Sequence, residues 1–78
     1  MKFSQYFLST RQRDDRKGIA LAWVERVVNH LEHEFIQADG RIRRWAQIAE
    51  HEGRYLRVVL LPDGQTVHNA FFDRGFKP

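Results

Sequence analysis

The stretch EFIQADGRIRRWAQIAEHEGRYLRVVLLPDGQTVHNAFF, residues 34–72, decides the fold. Its apolar residues recur with a period of two, and it is broken three times, at Asp39-Gly40, His51-Glu52-Gly53 and Pro62-Asp63-Gly64. Each break carries a glycine where a hairpin turn needs a positive φ. The segments between are 34–38, 41–50, 54–61 and 65–72, which predicts a four-stranded antiparallel meander. Such a sheet has one apolar face that must be covered.

The cover lies upstream. From Ile19 the spacing is helical: Ile19, Trp23, Val27 and Leu31 form one stripe, joined by Ala20, Val24 and Val28, while Glu25, Arg26, Asn29 and Glu32 lie opposite. This predicts an amphipathic helix of roughly four turns within 18–33. Asp14 or Asp15 is the expected cap, and His30 and His33 fall in the last turn. Before the helix, Phe3–Leu8 reads as a short edge strand or ordered arm and 9–17 as a polar loop. After the sheet, 73–78 is a tail with Phe76 as a candidate anchor. The expected fold class is α+β: one main helix on a four-stranded meander, within a single domain of 78 residues.

Alternation sorts the strands into faces. Ile42, Ala46, Ile48, Leu56, Val58 and Leu60 share the core side, interrupted by Arg44. Arg41, Arg43, Trp45 and Gln47 lie on the other side with Tyr55, Arg57, Val59 and Leu61. A three-residue loop at 51–53 pairs Ile48 with Leu56 and Ala46 with Val58, and sets Arg57 beside Gln47 and Val59 beside Trp45. The last hairpin has two registers. A two-residue Asp63-Gly64 turn pairs Leu60 with Val67 and Leu56 with Phe71, burying Val67 and Phe71 and leaving His68 and Phe72 outside. A three-residue Pro62-Asp63-Gly64 loop shifts every pair by one and turns His68 toward the helix. Turn chemistry favours the second. Burial favours the first, since each apolar side chain contributes about 1.5–3 kcal/mol when fully buried, and we follow burial.

Charge points the same way. The chain has 13 Lys+Arg against 10 Asp+Glu, a net +3. Residues 1–40 hold six basic and six acidic groups, whereas 41–78 hold seven and four, so the excess belongs to the sheet. Ten of the basic residues are arginine, whose planar fork grips phosphate or carboxylate. In the favoured register Arg41, Arg43, Trp45, Tyr55, Arg57, His68 and Phe72 share one surface, with Arg74 beyond it. Basic groups interleaved with aromatics hold phosphates while bases stack. His68 titrates near neutrality, and beside Arg43 and Arg57 it is the candidate general acid or base for RNA cleavage, the arginines holding charge on phosphorus.

Other classes recede. With no cysteine there is no disulfide framework or thiol nucleophile. No apolar run reaches the ~18–20 residues of a membrane span, and there is no signal-peptide pattern, so the cytoplasm is the expected location. His30-Leu31-Glu32-His33-Glu34 departs from the zincin order and predicts no metal site; no cofactor is expected. Ser4, Ser9 and Thr10 have no base nearby in sequence. Two functions compete: RNA binding or cleavage through the Arg/His/aromatic face, and a non-enzymatic module binding an acidic protein or antitoxin-like peptide. Whether the chain is an enzyme is left open between them. A monomer or weak homodimer is expected.

Residues 40–78, with Gly40-Arg-Ile-Arg-Arg-Trp45, Gly53-Arg-Tyr-Leu-Arg-Val-Val59, Asp63-Gly-Gln-Thr-Val-His-Asn-Ala-Phe71 and Asp73-Arg-Gly-Phe-Lys-Pro78, carry a resemblance. With Trp23, they resemble a family of short bacterial proteins of no established activity. The order of helix then meander is similar to the fold of RelE/ParE-like and BrnT-like toxins, which carry paired helices where this sequence shows one. That likeness implies a ribonuclease neutralised by an antitoxin. It is a likeness of fold, and no residue role is carried over from it.

Overall fold

A computed structural model describes residues 1–78. The chain forms one five-stranded sheet and two helices, in the order β1 (Lys2–Phe3), α1 (Gln5–Thr10), α2 (Leu21–Asn29), β2 (His33–Ile36), β3 (Ile42–Ile48), β4 (Arg54–Leu60) and β5 (Thr66–Phe72). Strand order is β1-β5-β4-β3-β2. The meander β2–β5 is antiparallel, as the alternation predicts. The fifth strand is an addition: Lys2 and Phe3 pair in parallel with Thr66 and Val67. Two residues are too few for a period, and their partner lies more than sixty positions away, so the sequence shows only a short aromatic arm. Ser4 ends it and caps α1, its Oγ accepting from Phe7 N at 3.1 Å.

The main helix is shorter than expected, nine residues rather than the span 18–33. It begins after Ala20, which offers no side-chain cap. Asp14 and Asp15 instead stay exposed and pair with Lys17, Arg13 and Arg16. It ends at His30, whose φ of −131° leaves the helical region. There Arg44, the basic residue on the core side of β3, donates from Nη1 to the Val28 carbonyl at 3.0 Å and from Nε to Glu34 Oε2 at 2.8 Å. A guanidinium at a helix C-terminus satisfies an orphan carbonyl and faces the negative end of the dipole. Leu31 is consequently outside the stripe and exposed. His30 and His33 part company, the latter lying in β2.

α2 packs on β3 and β4, and α1 on β5. Ile48, Leu56, Val58, Leu60, Val67, Val24 and Val27 are the largest fully buried side chains. The faces of β3 and β4 are as expected, but their pairing is displaced by two. Ala49–His51 make a 3-10 turn, and Glu52 (φ 59°) and Gly53 (φ 68°) complete a longer connection, closed by Gly53 N donating to Ile48 O. Ala46 therefore pairs with Leu56, Trp45 with Arg57 and Gln47 with Tyr55. An even displacement changes neighbours without changing faces.

The last hairpin holds neither expected register throughout. Leu60 pairs with Val67, as in the two-residue form, but Val59 pairs with Asn69 and Leu56 with Phe72, a shift of one in the sense opposite to that of the three-residue loop, which would pair Leu56 with Ala70. His68 is the extra residue of a β-bulge between them. Val67 is buried as expected. Phe71 and Phe72, however, exchange faces: Phe71 is on the outer side beside Arg57, and Phe72 packs against Trp23 and His51 on the helix side. No helix is long and apolar enough to cross a membrane.

Candidate functional site

The face of the sheet away from α2 carries a recess of about 400 Å³ lined by Tyr6, Gln37, Arg41, Arg43, Arg57, Val59, His68, Asn69 and Phe71. Four of the sequence candidates, Arg41, Arg43, Arg57 and His68, are thus brought together from three strands and a turn. No carboxylate lines it. Asp39 meets Arg41 Nε at 3.6 Å, and Asp73 meets Arg57 Nη1 at 3.5 Å from the other side.

Each side chain is held. Arg43 donates from Nε to Gln37 Oε1 at 2.9 Å, its guanidinium 5.5 Å from the Phe35 ring. Arg57 lies between two rings, 5.0 Å from Phe71 and 5.8 Å from Trp45. Its Nε is buried without a hydrogen-bond partner. Burial, and then the charge of Arg43, push its pKa below the usual guanidinium value, with Asp73 opposing. The recess therefore concentrates positive charge that is incompletely solvated, a condition an anion relieves.

His68 is fixed from the N-terminal arm. Tyr6 stacks on its ring at 4.8 Å, and Ser4 Oγ lies 2.9 Å from Nδ1. Ser4 Oγ already accepts from Phe7 N, which leaves its hydroxyl proton to donate to Nδ1. Assigned this way, the neutral imidazole carries its proton on Nε2. Burial, then the charge of Arg41, hold the His68 pKa below the ordinary histidine value. Ser4 with His68 is a pairing that reading along the sequence missed. It lacks the carboxylate that would orient a catalytic imidazole, and the serine oxygen serves as a helix cap.

The other candidates lie elsewhere. Trp45 is 6% exposed and is covered by Phe76, stacked at 4.5 Å. Tyr55 and His33 meet the same ring edge-on and tilted at 5.0 and 5.2 Å. The tail is thus anchored as expected, and the anchor closes Trp45 to a base. Phe72, on the helix side, is not part of the face. Arg74 and Tyr55 line a second recess at the end of β5. Asp73 binds Trp45 Nε1 at 3.0 Å and Arg57, rather than Arg74. Nowhere do three or more His, Asp or Glu side chains gather as metal ligands would.

Tyr6, Asn69 and Phe71 were not legible as site residues. Tyr6 arrives through the parallel pairing of β1, and the other two through the bulge. No protein-family model matches the chain, and no curated protein or solved structure matches it significantly.

Proposed function

We propose that the chain binds single-stranded RNA, with a backbone phosphate seated among Arg41, Arg43, Arg57 and His68. The observation that carries this reading is a recess ringed by three guanidiniums and an imidazole and lined by no carboxylate. The half-exposed ring of Tyr6 at the rim offers a base a stacking surface. Cleavage, the narrower and toxin-like form of the reading, is less well supported. Phosphodiester transfer to a 2′-hydroxyl requires one group to accept a proton and another to supply one to the leaving oxygen. His68 can be the first, and the lining holds no carboxylate or second imidazole to be the other.

Fluorescence anisotropy of labelled oligouridine, with the RNA analysed afterwards for products, tests both forms. The expected result is binding that weakens steeply with salt and intact RNA. Arg41→Gln with Arg43→Gln should lower the salt slope by about 0.7 for each phosphate that is no longer neutralised. Absence of binding at low salt, or binding indifferent to that double substitution, refutes the reading.

A second reading, a module for an acidic peptide, draws on the free edge of β2, where Phe35 and Ile36 are 55% and 61% exposed. The same titration with an acidic peptide separates the two.

A further inference from the structure

Building on the RNA-binding reading, we infer that the strand continues past Phe71 into a second phosphate subsite at the end of β5, formed by Arg54 and Arg74. Two recesses lie there. One, of about 320 Å³, is lined by Asp15, Arg16, His51, Arg54, Phe71, Phe72 and Arg74. The other, of about 400 Å³, shares Arg54, Phe72 and Arg74 with it and adds Tyr55, Asp73 and Phe76. Phe71 belongs to both the first of these and the Arg41–Arg43–Arg57–His68 recess. The three hollows therefore adjoin one another, and the inferred path runs across their shared walls.

The joint is itself cationic. Arg16 and Arg57 both lie over the Phe71 ring, at 5.1 and 5.0 Å. Arg16 is fixed there by Asn69 Oδ1 at 2.7 Å and the Ala70 carbonyl at 3.3 Å. Beyond it, Arg74 is exposed and makes no ion pair, and Arg54 pairs only with the exposed Glu52 at 3.1 Å. The two carboxylates on the path are occupied. Asp15 faces Arg13 and Arg16, and Asp73 accepts from Trp45 and Gly75 and faces Arg57. Exposed guanidiniums beside the rings of Tyr55, Phe72 and Phe76 suit a phosphate with a flanking base.

The spacing defines the ligand. Arg57 and Arg54 are three residues apart on β4, ~10 Å along the strand and on alternate faces, so the path turns around the end of the sheet and spans at least roughly two nucleotide steps of an extended chain. A dinucleotide fills one recess, and a strand of four or more nucleotides is needed to reach both.

Oligouridines of two, four and six nucleotides, titrated against wild type and Arg54→Gln/Arg74→Gln, test this. Both positions are exposed, and melting curves check that the variant is folded. Wild type should bind the hexanucleotide at least tenfold more tightly than the dinucleotide. The variant should lose most of that gain, keep the dinucleotide affinity, and show a hexanucleotide salt slope lower by about 0.7. Equal affinity for all lengths in wild type, or a variant that keeps the gain, overturns the second subsite and leaves the first recess standing. Failure of every oligonucleotide to bind wild type overturns the RNA reading and this inference together.

Discussion

Asp73 is where stability and binding compete for one side chain. Its Oδ2 accepts from Trp45 Nε1 at 3.0 Å and lies 3.5 Å from Arg57 Nη1, with side-chain exposures of 16% for Asp73 and 21% for Arg57. At that separation the gross attraction is about 5 kcal/mol for an effective dielectric constant near 20. Part of it is offset by the cost of desolvating both groups. The hydrogen bond from Trp45 to a charged acceptor adds about 1.5–3 kcal/mol. Asp73→Asn keeps an oxygen for Trp45 but removes the charge, so it should cost about 2 kcal/mol net. For a chain of this size that is a fall in Tm of roughly 8–16 °C, read by circular dichroism. Asp73→Ala, which also orphans the indole N–H, should cost more. The same substitution releases Arg57 toward the recess, so Asp73→Asn should bind oligouridine more tightly than wild type while melting earlier. A Tm within about 3 °C of wild type would refute the reasoning, because Arg57 would then be stable without its carboxylate.

Further outcomes follow from the same side chains. The His68 pKa is depressed in the folded state, so the unfolded chain binds more protons below pH ~6.5 and this contribution to stability is lost as pH falls through that range. RNA binding should move the opposite way, tightening as His68 gains its charge, and His68→Gln should flatten both profiles; an unchanged profile in the variant refutes the assignment. Gly40 has φ +90°, and a Cβ there would meet Pro62 Cγ at 3.2 Å. Gly40→Ala should therefore lower stability by about 1 kcal/mol or more by chemical denaturation, with no change in RNA affinity beyond that of the folded fraction.

The sheet was legible because its strands are long enough for a period to show. β3 and β4 read correctly by face although their register was displaced, since a displacement of two leaves every side chain on its own side. Asp14 and Asp15 do not cap the helix, because a cap depends on where the helix starts, and it starts at Leu21, beyond their reach. Trp45 illustrates a different limit. Its alternation places it correctly on the outer face, yet alternation cannot register a tail residue, Phe76, folding back over it. Alternation predicts an aromatic surface, and tertiary contact with Phe76 turns Trp45 and Tyr55 into a second small core.

The bulge at His68 ties the fold to the site. In an uninterrupted two-residue register, Asn69 would point into the core and Phe72 out. In the shifted register Val67 would leave the core and His68 would enter it. Adding one residue between the two avoids both penalties: Val67 and the small Ala70 face the core, at 0% and 5% exposure, while His68 and Asn69 are both available to the recess. Two consecutive polar residues on one face are something a regular strand cannot supply. Val67 and Ala70, an odd number of residues apart, are both buried, so no single register serves the whole of β5 and the pairing shifts by one at His68. That change of register also brings Phe71 under the guanidiniums of Arg16 and Arg57, making the floor on which the proposed path between the two phosphate subsites depends.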